Sequence, residues 1–369
     1  MKARARLIVA DSERDPDLLY ATRFFAPDAF VYLEKAGKKT IMLNDLEIDR
    51  GRVQARVDEV IAYSDVAKRA GKGATFAEVI LRFLKEQKVR SVNVPSSFPL
   101  GLATKLADGG LGIYPQDGLF FPEREFKTDE ELRALRRALA ITEAGMARGM
   151  EVLAASTIGT GKKLSWAGKP LTSERLRAEI DSAILHAGGL PANTIVAGGN
   201  QACDPHERGH GPLKGDSLII LDIFPRDARS GYYGDMTRTV VRGKASDAQR
   251  RLWETVLAGQ ELALKAMKPG VDGGKVHDQV TRLFTDRGYP TGQEKGRWTG
   301  FFHGTGHGLG LEIHEAPRFA ATRFKQGQVL TVEPGLYYPG LGGVRIEDVV
   351  VLTQTGNRML SRFEKRLEV

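Results

Sequence analysis

His303, His307 and His314 fall within the fifteen residues HGTGHGLGLEIHEAP (303–317), together with glycines at 304, 306, 308 and 310, in a chain that has only seven histidines. Imidazole is a common metal ligand and carries protons near neutral pH. A glycine lets the backbone come close to a crowded metal centre or substrate, because no Cβ intervenes. The spacing is not that of a zincin helix. His314-Glu315 is followed by Ala316, Pro317 and Arg318 instead of a histidine at the required place, and Pro317 disfavours a helix.

Four strand-like segments each carry acidic groups where burial would normally forbid them. SLIILDIFP holds Asp222 directly after four apolar residues, and YYGDMTRTVV holds Asp235 with Thr237 and Thr239 on the same face by period-two alternation. VLTVEPGLY holds Glu333; in GGVRIEDVVVL, Arg345 and Glu347 share one face while Val344 and Ile346 point the other way. Singly, each acid has an ordinary explanation: Asp222 could pair with an arginine, Glu333 could cap the turn at Pro334, and Glu347 could be bridged by Arg345. Four together, beside a histidine cluster, are most economically gathered into one site. An unpaired buried carboxylate costs several kcal/mol, so four of them require roughly as much positive charge between them. Two divalent cations would supply it. Cys203 is the only cysteine, which excludes an intrachain disulfide and a thiolate-rich centre. Oxygen-dominated coordination with a single imidazole favours Mn²⁺, Co²⁺ or Zn²⁺. Two such ions lower the pKa of a shared water toward roughly 7, so the expected reaction is hydrolysis.

These groups need elements to hold them. The first 120 or so residues alternate strand-like runs (29–33, 40–43, 92–94) with helical ones, the clearest at 75–89 behind a Thr75/Glu78 capping box, which reads as a small α/β domain. The polar, proline-containing segment FPEREFKTDEE places a domain boundary near residue 125. A second capping box, Thr128 with Glu131, opens a long helix carrying Leu132, Leu135, Leu139 and Met146 on one face, and further helices are predicted at 173–187 and 246–267. Strand-rich stretches separate them, which suits an α+β domain with helices grouped on a sheet face. Helix pairs followed by strands occur in both 128–241 and 246–353, a hint of internal duplication, although no short motif recurs.

Composition narrows the partners. A chain of 369 residues with 41% hydrophobic content can give two domains their cores. The longest apolar runs, such as 218–224, fall far short of the roughly 20 residues of a membrane span, so no membrane partner is expected. At the N-terminus only Leu7–Ala10 could serve as the apolar part of a signal peptide, against about 7 to 15 residues in such a signal, and the expected location is cytoplasmic. The net charge of +8 is spread among 54 basic and 46 acidic residues with no dense basic block, which argues against a nucleic-acid partner.

The ordered series LDIFP, GDMTRT, HGTGHGLGLEIHEAP, TVEPG and GVRIED, with LLYATRFFAPDAFVYLE near the N-terminus and the helix-opening KTDEELRALRRA, resembles the creatinase and methionine aminopeptidase superfamily. Within these pita-bread metallopeptidases it is most similar to the proline-specific members, prolidase and aminopeptidase P. The resemblance implies an α+β fold: a pita-bread catalytic domain, residues 126–369, preceded by a small creatinase-like α/β domain, residues 1–125. It also implies two divalent metal ions held by Asp222, Asp235, His307, Glu333 and Glu347, with Asp235 and Glu347 bridging and Glu333 also shuttling a proton. His314 resembles the histidine that steadies the tetrahedral intermediate, and His206, in DPHERGHG, the histidine that binds substrate and donates a proton; His210 is an alternative for that role. His303 would be a pocket residue. Arg318 matches an arginine that meets the substrate carboxylate in some prolidases, and Arg345 one that orients the bridging acid. Asp235 follows Asp222 by thirteen positions, slightly more than family members commonly show, with the extra length in PRDARSG.

The implied activity is hydrolysis of the Xaa-Pro bond in dipeptides or short peptides by a homodimer. The short N-terminal domain and Arg318 favour prolidase over aminopeptidase P. Methionine aminopeptidase shares the ligands but usually lacks a separate N-terminal domain. Creatinase does not retain the full ligand set, and a non-catalytic pita-bread binding protein should have lost at least one ligand type.

Overall fold

The computed structural model describes residues 4–369, so the first three residues of the expected N-terminal domain lie outside it. The chain divides between Arg124 and Glu125 into two compact units. In the first, strands β1 (Ala5–Ala10), β2 (Phe30–Lys35), β3 (Lys38–Leu43), β4 (Glu59–Ala62), β5 (Ser91–Pro95) and β6 (Gly112–Gln116) form one sheet in the order β4-β3-β2-β1-β5-β6. Helices α1 (Pro16–Thr22), α2 (Ile48–Gln54), α3 (Tyr63–Ala70), α4 (Phe76–Glu86) and α5 (Leu100–Asp108) connect the strands. Both faces of β1 are apolar, Leu7 and Val9 packing with Phe83 on one side and Ile8 with Leu18 and Phe24 on the other. That is the pattern of a sheet covered on both faces. The β2–β3 turn places Ala36 and Gly37 at φ 51° and 83°, the two positive values that a tight two-residue hairpin requires. The capping box of Thr75 and Glu78 opens α4. The helix stops at Glu86, short of the predicted 89, and Lys88 turns left-handed at φ 53°.

The second unit is built from two helix pairs. Helices α6 (Asp129–Ala155) and α8 (Asp247–Ala266) start at the Thr128/Glu131 and Ser246/Gln249 capping boxes, and α7 (Ser173–His186) at Thr172. The buried face of α6 runs through Leu135, Leu139 and Met146, while Leu132 is only half-buried. The predicted layout gave α9 (Gly273–Asp286) no location, because it opens on two glycines; Asp272 caps it by accepting from the amides of Gly274 and Lys275.

Below α6 and α7 lies an antiparallel sheet of Ile195–Gly198, Leu218–Ile223 and Met236–Val241. A second sheet contains Glu315–Arg318, His307–Gly308, Val329–Val332, Asp348–Leu352 and Asn357–Met359, with Gly335–Tyr338 and Gly342–Arg345 as a separate hairpin. Helices α8 and α9 share a core with Leu330, Val332, Val344, Ile346 and Val350. Each half therefore presents a helix pair on antiparallel strands, the pita-bread layout that the resemblance implies. Among the described residues no helix is long and apolar enough to cross a membrane.

Candidate metal centre and active site

Alternation along four strands sends acids one way and apolar side chains the other. Ile219, Leu221 and Ile223 join the core under α6 and α7, so Asp222 faces inward with Ile220. Met236 and Val240 join that same core, which leaves Thr237 and Thr239, and Asp235 just before the strand, on the inner side. In the other half, Leu330, Val332, Val344 and Ile346 pack under α8 and α9, and Thr331, Glu333, Arg345 and Glu347 turn inward. The two inner faces meet in a cavity of about 740 Å³. Its lining includes Asp222, Asp235, His307, Glu333 and Glu347, and also His206, His303, His314, Arg318 and Arg345. His210 is not among the lining residues; it is exposed, with Nδ1 3.4 Å from Glu207.

The contacts inside the cavity are specific. His307 Nε2 lies 3.2 Å from Glu333 Oε1 and 3.7 Å from Asp235 Oδ2. Its Nδ1 sits 3.1 Å from the Gly308 carbonyl, which can only accept, so Nδ1 carries the proton and Nε2 presents a lone pair to the carboxylates. Thr331 Oγ1 accepts from the His307 amide at 3.0 Å and donates to Glu333 Oε1 at 3.3 Å. Thr237 Oγ1 donates to Glu347 Oε2 at 2.8 Å. On the opposite side of that strand, buried Arg238 donates to the Glu347 carbonyl at 2.5 Å, to Asp348 at 2.9 Å and to the Phe363 carbonyl at 2.8 Å, tying the C-terminal tail beneath the site. His314 stands edge-on to His307 with ring centroids 4.4 Å apart.

Arg345 makes its direct ion pair with Asp222, Nη2 to Oδ2 at 2.6 Å, and reaches Glu347 through Thr237, whose Oγ1 accepts from Arg345 Nε at 3.3 Å. The side chain reaches across to the neighbouring sheet, while Glu347, two residues on, is satisfied by Thr237. Glu333 caps no turn at Pro334, because its carboxylate is engaged by His307 and Thr331. The glycines of the 303–317 stretch also serve a different purpose. A Cβ on Gly306 would lie 2.0 Å from the Thr331 carbonyl oxygen and one on Gly308 2.4 Å from that of Ala316, so they permit strand-to-strand approach; at Gly304 there is room.

Tyr337 was not singled out in the sequence. It is fully buried, accepts from Arg345 Nη1 at 2.9 Å and donates to His303 Nε2 at 2.8 Å, while His303 Nδ1 gives its proton to the Gly304 carbonyl. A signal existed: Glu333, Gly335 and Tyr337 keep period two, but Pro334 interrupts the pattern. Gly335 makes room for the ring, since a Cβ there would sit 2.4 Å from the Tyr337 hydroxyl.

The electrostatics call for cations. Burial, reinforced by the neighbouring carboxylates, holds the Asp235 and Glu347 carboxyls well above their ordinary range, and burial raises Glu333 to about 7. Burial pushes His307 and His314 down to about 4 and His303 to about 3, so none of the three contributes positive charge at neutral pH. Asp222 Oδ1 is buried with no hydrogen-bond partner, and ligand atoms of Asp235, His307 and Glu347 lie within 4.8 Å of one another. Hard oxygen donors, one neutral imidazole nitrogen and an orphaned carboxylate oxygen fit divalent ions. Since the metal-free carboxyls hold protons, metal binding must release them and must strengthen as pH rises through about 7. Titration calorimetry at pH 7 in two buffers of different ionisation enthalpy should give net proton release; zero release would contradict the charge reading.

Residues 133–354 match the description of metallopeptidase family M24. An Xaa-Pro dipeptidase from Pyrococcus furiosus is 32% identical over 257 residues, covering 66% of this chain and 65% of that protein, just under two thirds of its length. Among solved structures, an Xaa-Pro dipeptidase from Bacillus anthracis superposes with a TM-score of 0.83 at 24% identity, over 99% of this chain and 95% of that one. An X-Pro aminopeptidase from Thermotoga maritima gives 0.84 at 23% identity, over 99% and 97%. With the family match spanning well over half its length and an acidic, histidine-bearing centre at its heart, the chain belongs to metallopeptidase family M24.

Proposed function

We propose that the protein is a dinuclear metal-dependent peptidase that hydrolyses the Xaa-Pro bond of dipeptides or short peptides, with prolidase activity preferred over aminopeptidase P activity. The observation that carries the reading is the convergence of Asp222, Asp235, Glu333, Glu347 and His307 in one cavity that His206, His314 and Arg318 also line. A relative named Xaa-Pro dipeptidase at 32% identity supports the specificity. The five converging residues would hold two ions, Mn²⁺, Co²⁺ or Zn²⁺, which when bound polarise the scissile carbonyl and acidify water at neutral pH.

The remaining work falls to side chains of this chain. The Glu333 carboxylate takes the proton of the attacking water and carries it to the leaving nitrogen. His314, neutral because burial holds it near 4, donates a hydrogen bond to the oxygen of the tetrahedral centre. His206 binds the substrate and donates to it. The nitrogen of an Xaa-Pro bond is proline's own and carries no hydrogen, so recognition there must rest on shape, and Phe224, Phe302 and Phe319 line the cavity with apolar surface suited to a pyrrolidine ring. Arg318, exposed among the lining residues, pairs with a substrate carboxylate, which favours dipeptides. A cytoplasmic homodimer belongs to the same reading, and light scattering of the purified protein tests the dimer.

Chelated protein should be inert and should recover on addition of Mn²⁺, Co²⁺ or Zn²⁺. Release from Ala-Pro alone marks prolidase, from Ala-Pro-Ala aminopeptidase P, and from Met-Ala-Ala a methionine aminopeptidase. Absence of release with every metal would sink the reading in favour of a binding protein.

A further inference from the structure

The helix-opening motif KTDEE has no part in the chemistry so far, yet its side chains reach both loops that carry the centre. Lys127 is buried, and its Nζ lies 2.5 Å from Glu315 Oε1, whose side chain is buried as well. Glu315 Oε2 accepts from the Glu312 amide at 3.3 Å, folding the turn between His307 and His314 back on itself. Gly310 fits into that fold, since a Cβ there would stand 2.3 Å from Glu315 Oε1. Three residues after Thr128, Glu131 closes the capping box with Oε2 and accepts from Tyr232 Oη at 2.7 Å with Oε1. Tyr232 lies just ahead of Asp235, and the next amide, that of Tyr233, donates to the Gly310 carbonyl at 2.8 Å. The start of α6 thus anchors the Asp235 loop through Glu131, in its first turn, and the His307–His314 loop through Lys127, the residue before its cap, and the two loops are bonded to each other.

We infer that Lys127 is a positioning residue: through Glu315 it fixes the 310–315 turn and so sets where His314 stands relative to His307. The inference rests on the functional reading above for the role of His314. The pair is a poor choice for stability alone, because two well-packed apolar groups serve a buried site at least as well as an ion pair. Apolar groups cannot accept the Glu312 amide.

The test is the double variant Lys127→Met/Glu315→Leu, which removes both members of the ion pair together, measured by hydrogen exchange without metal and by steady-state kinetics with it. Amides in 310–315 should exchange about tenfold faster or more, the factor a hydrogen bond to a charged group is worth, while those of α6 and Leu218–Ile223 keep wild-type protection. With Ala-Pro, kcat should fall about 10- to 100-fold at nearly unchanged KM. Unchanged exchange in the turn, or faster exchange with wild-type kcat, overturns the inference. Should the double variant not fold, the wild-type protein decides: a 310–315 turn that exchanges as freely as exposed loops overturns it, and one protected like the strands upholds it. A wild-type protein that cleaves no Xaa-Pro peptide would defeat the functional reading separately, leaving the exchange ratio to judge the Lys127–Glu315 anchor.

Discussion

Replacing His307 by alanine should lower kcat/KM on any cleaved peptide by at least about 10²-fold, because even an outer partner of a metal ligand is commonly worth 10- to 100-fold. His307 is the one nitrogen donor in the acidic cluster, 3.2 Å from Glu333 and 3.7 Å from Asp235. The fold should survive. Burial keeps the ring neutral, with a pKa near 4, so its removal leaves no uncompensated charge, and the adjoining backbone keeps its bond to Thr331. Circular dichroism should therefore match the wild type while metal affinity drops. Wild-type turnover in the purified variant would remove His307 from the centre.

The second large effect is on stability. Arg345→Met strips Asp222 of its 2.6 Å partner in a buried setting where its other oxygen has none, and it leaves Tyr337 without its donor. Breaking a buried pair by deleting one member costs about 3–5 kcal/mol, which in a domain of this size lowers the melting temperature by roughly 6–20 °C. Calorimetry of the metal-free variant should show that fall. Metal loading should narrow it, because an ion that binds the native state takes over as the partner of Asp222. Adding Asp222→Leu to Arg345→Met should restore most of the melting temperature and none of the activity. A metal-free Arg345→Met protein as stable as wild type would mean that the pair contributes little.

Local chemistry was legible in the sequence wherever a rule acts over a few residues. Thr75/Glu78, Thr128/Glu131 and Ser246/Gln249 each open a helix as capping boxes, and alternation assigned Thr237, Arg345 and Glu347 to the inner face. Alternation gives a face and not a partner, however. It could not say that Arg345 reaches Asp222, 123 positions away, or that Lys127 reaches Glu315 across 188. Where a rule was interrupted, the reading stopped: paired glycines hid the start of α9, and Pro334 broke the run that would have led from Glu333 to Tyr337. The glycines of HGTGHGLG do mark a close approach, but what approaches Gly306 and Gly308 is the carbonyl of another strand.

The inward parity of the four strands has a consequence for how the chain finds its fold. A one-residue slip of Leu218–Ile223 would drive Asp222 into the apolar layer beneath α6 and α7, and an equal slip of Gly342–Arg345 would turn Arg345 toward α8. Each misalignment would strand a charge in oil, so the charged groups gathered at the candidate centre also proofread its assembly.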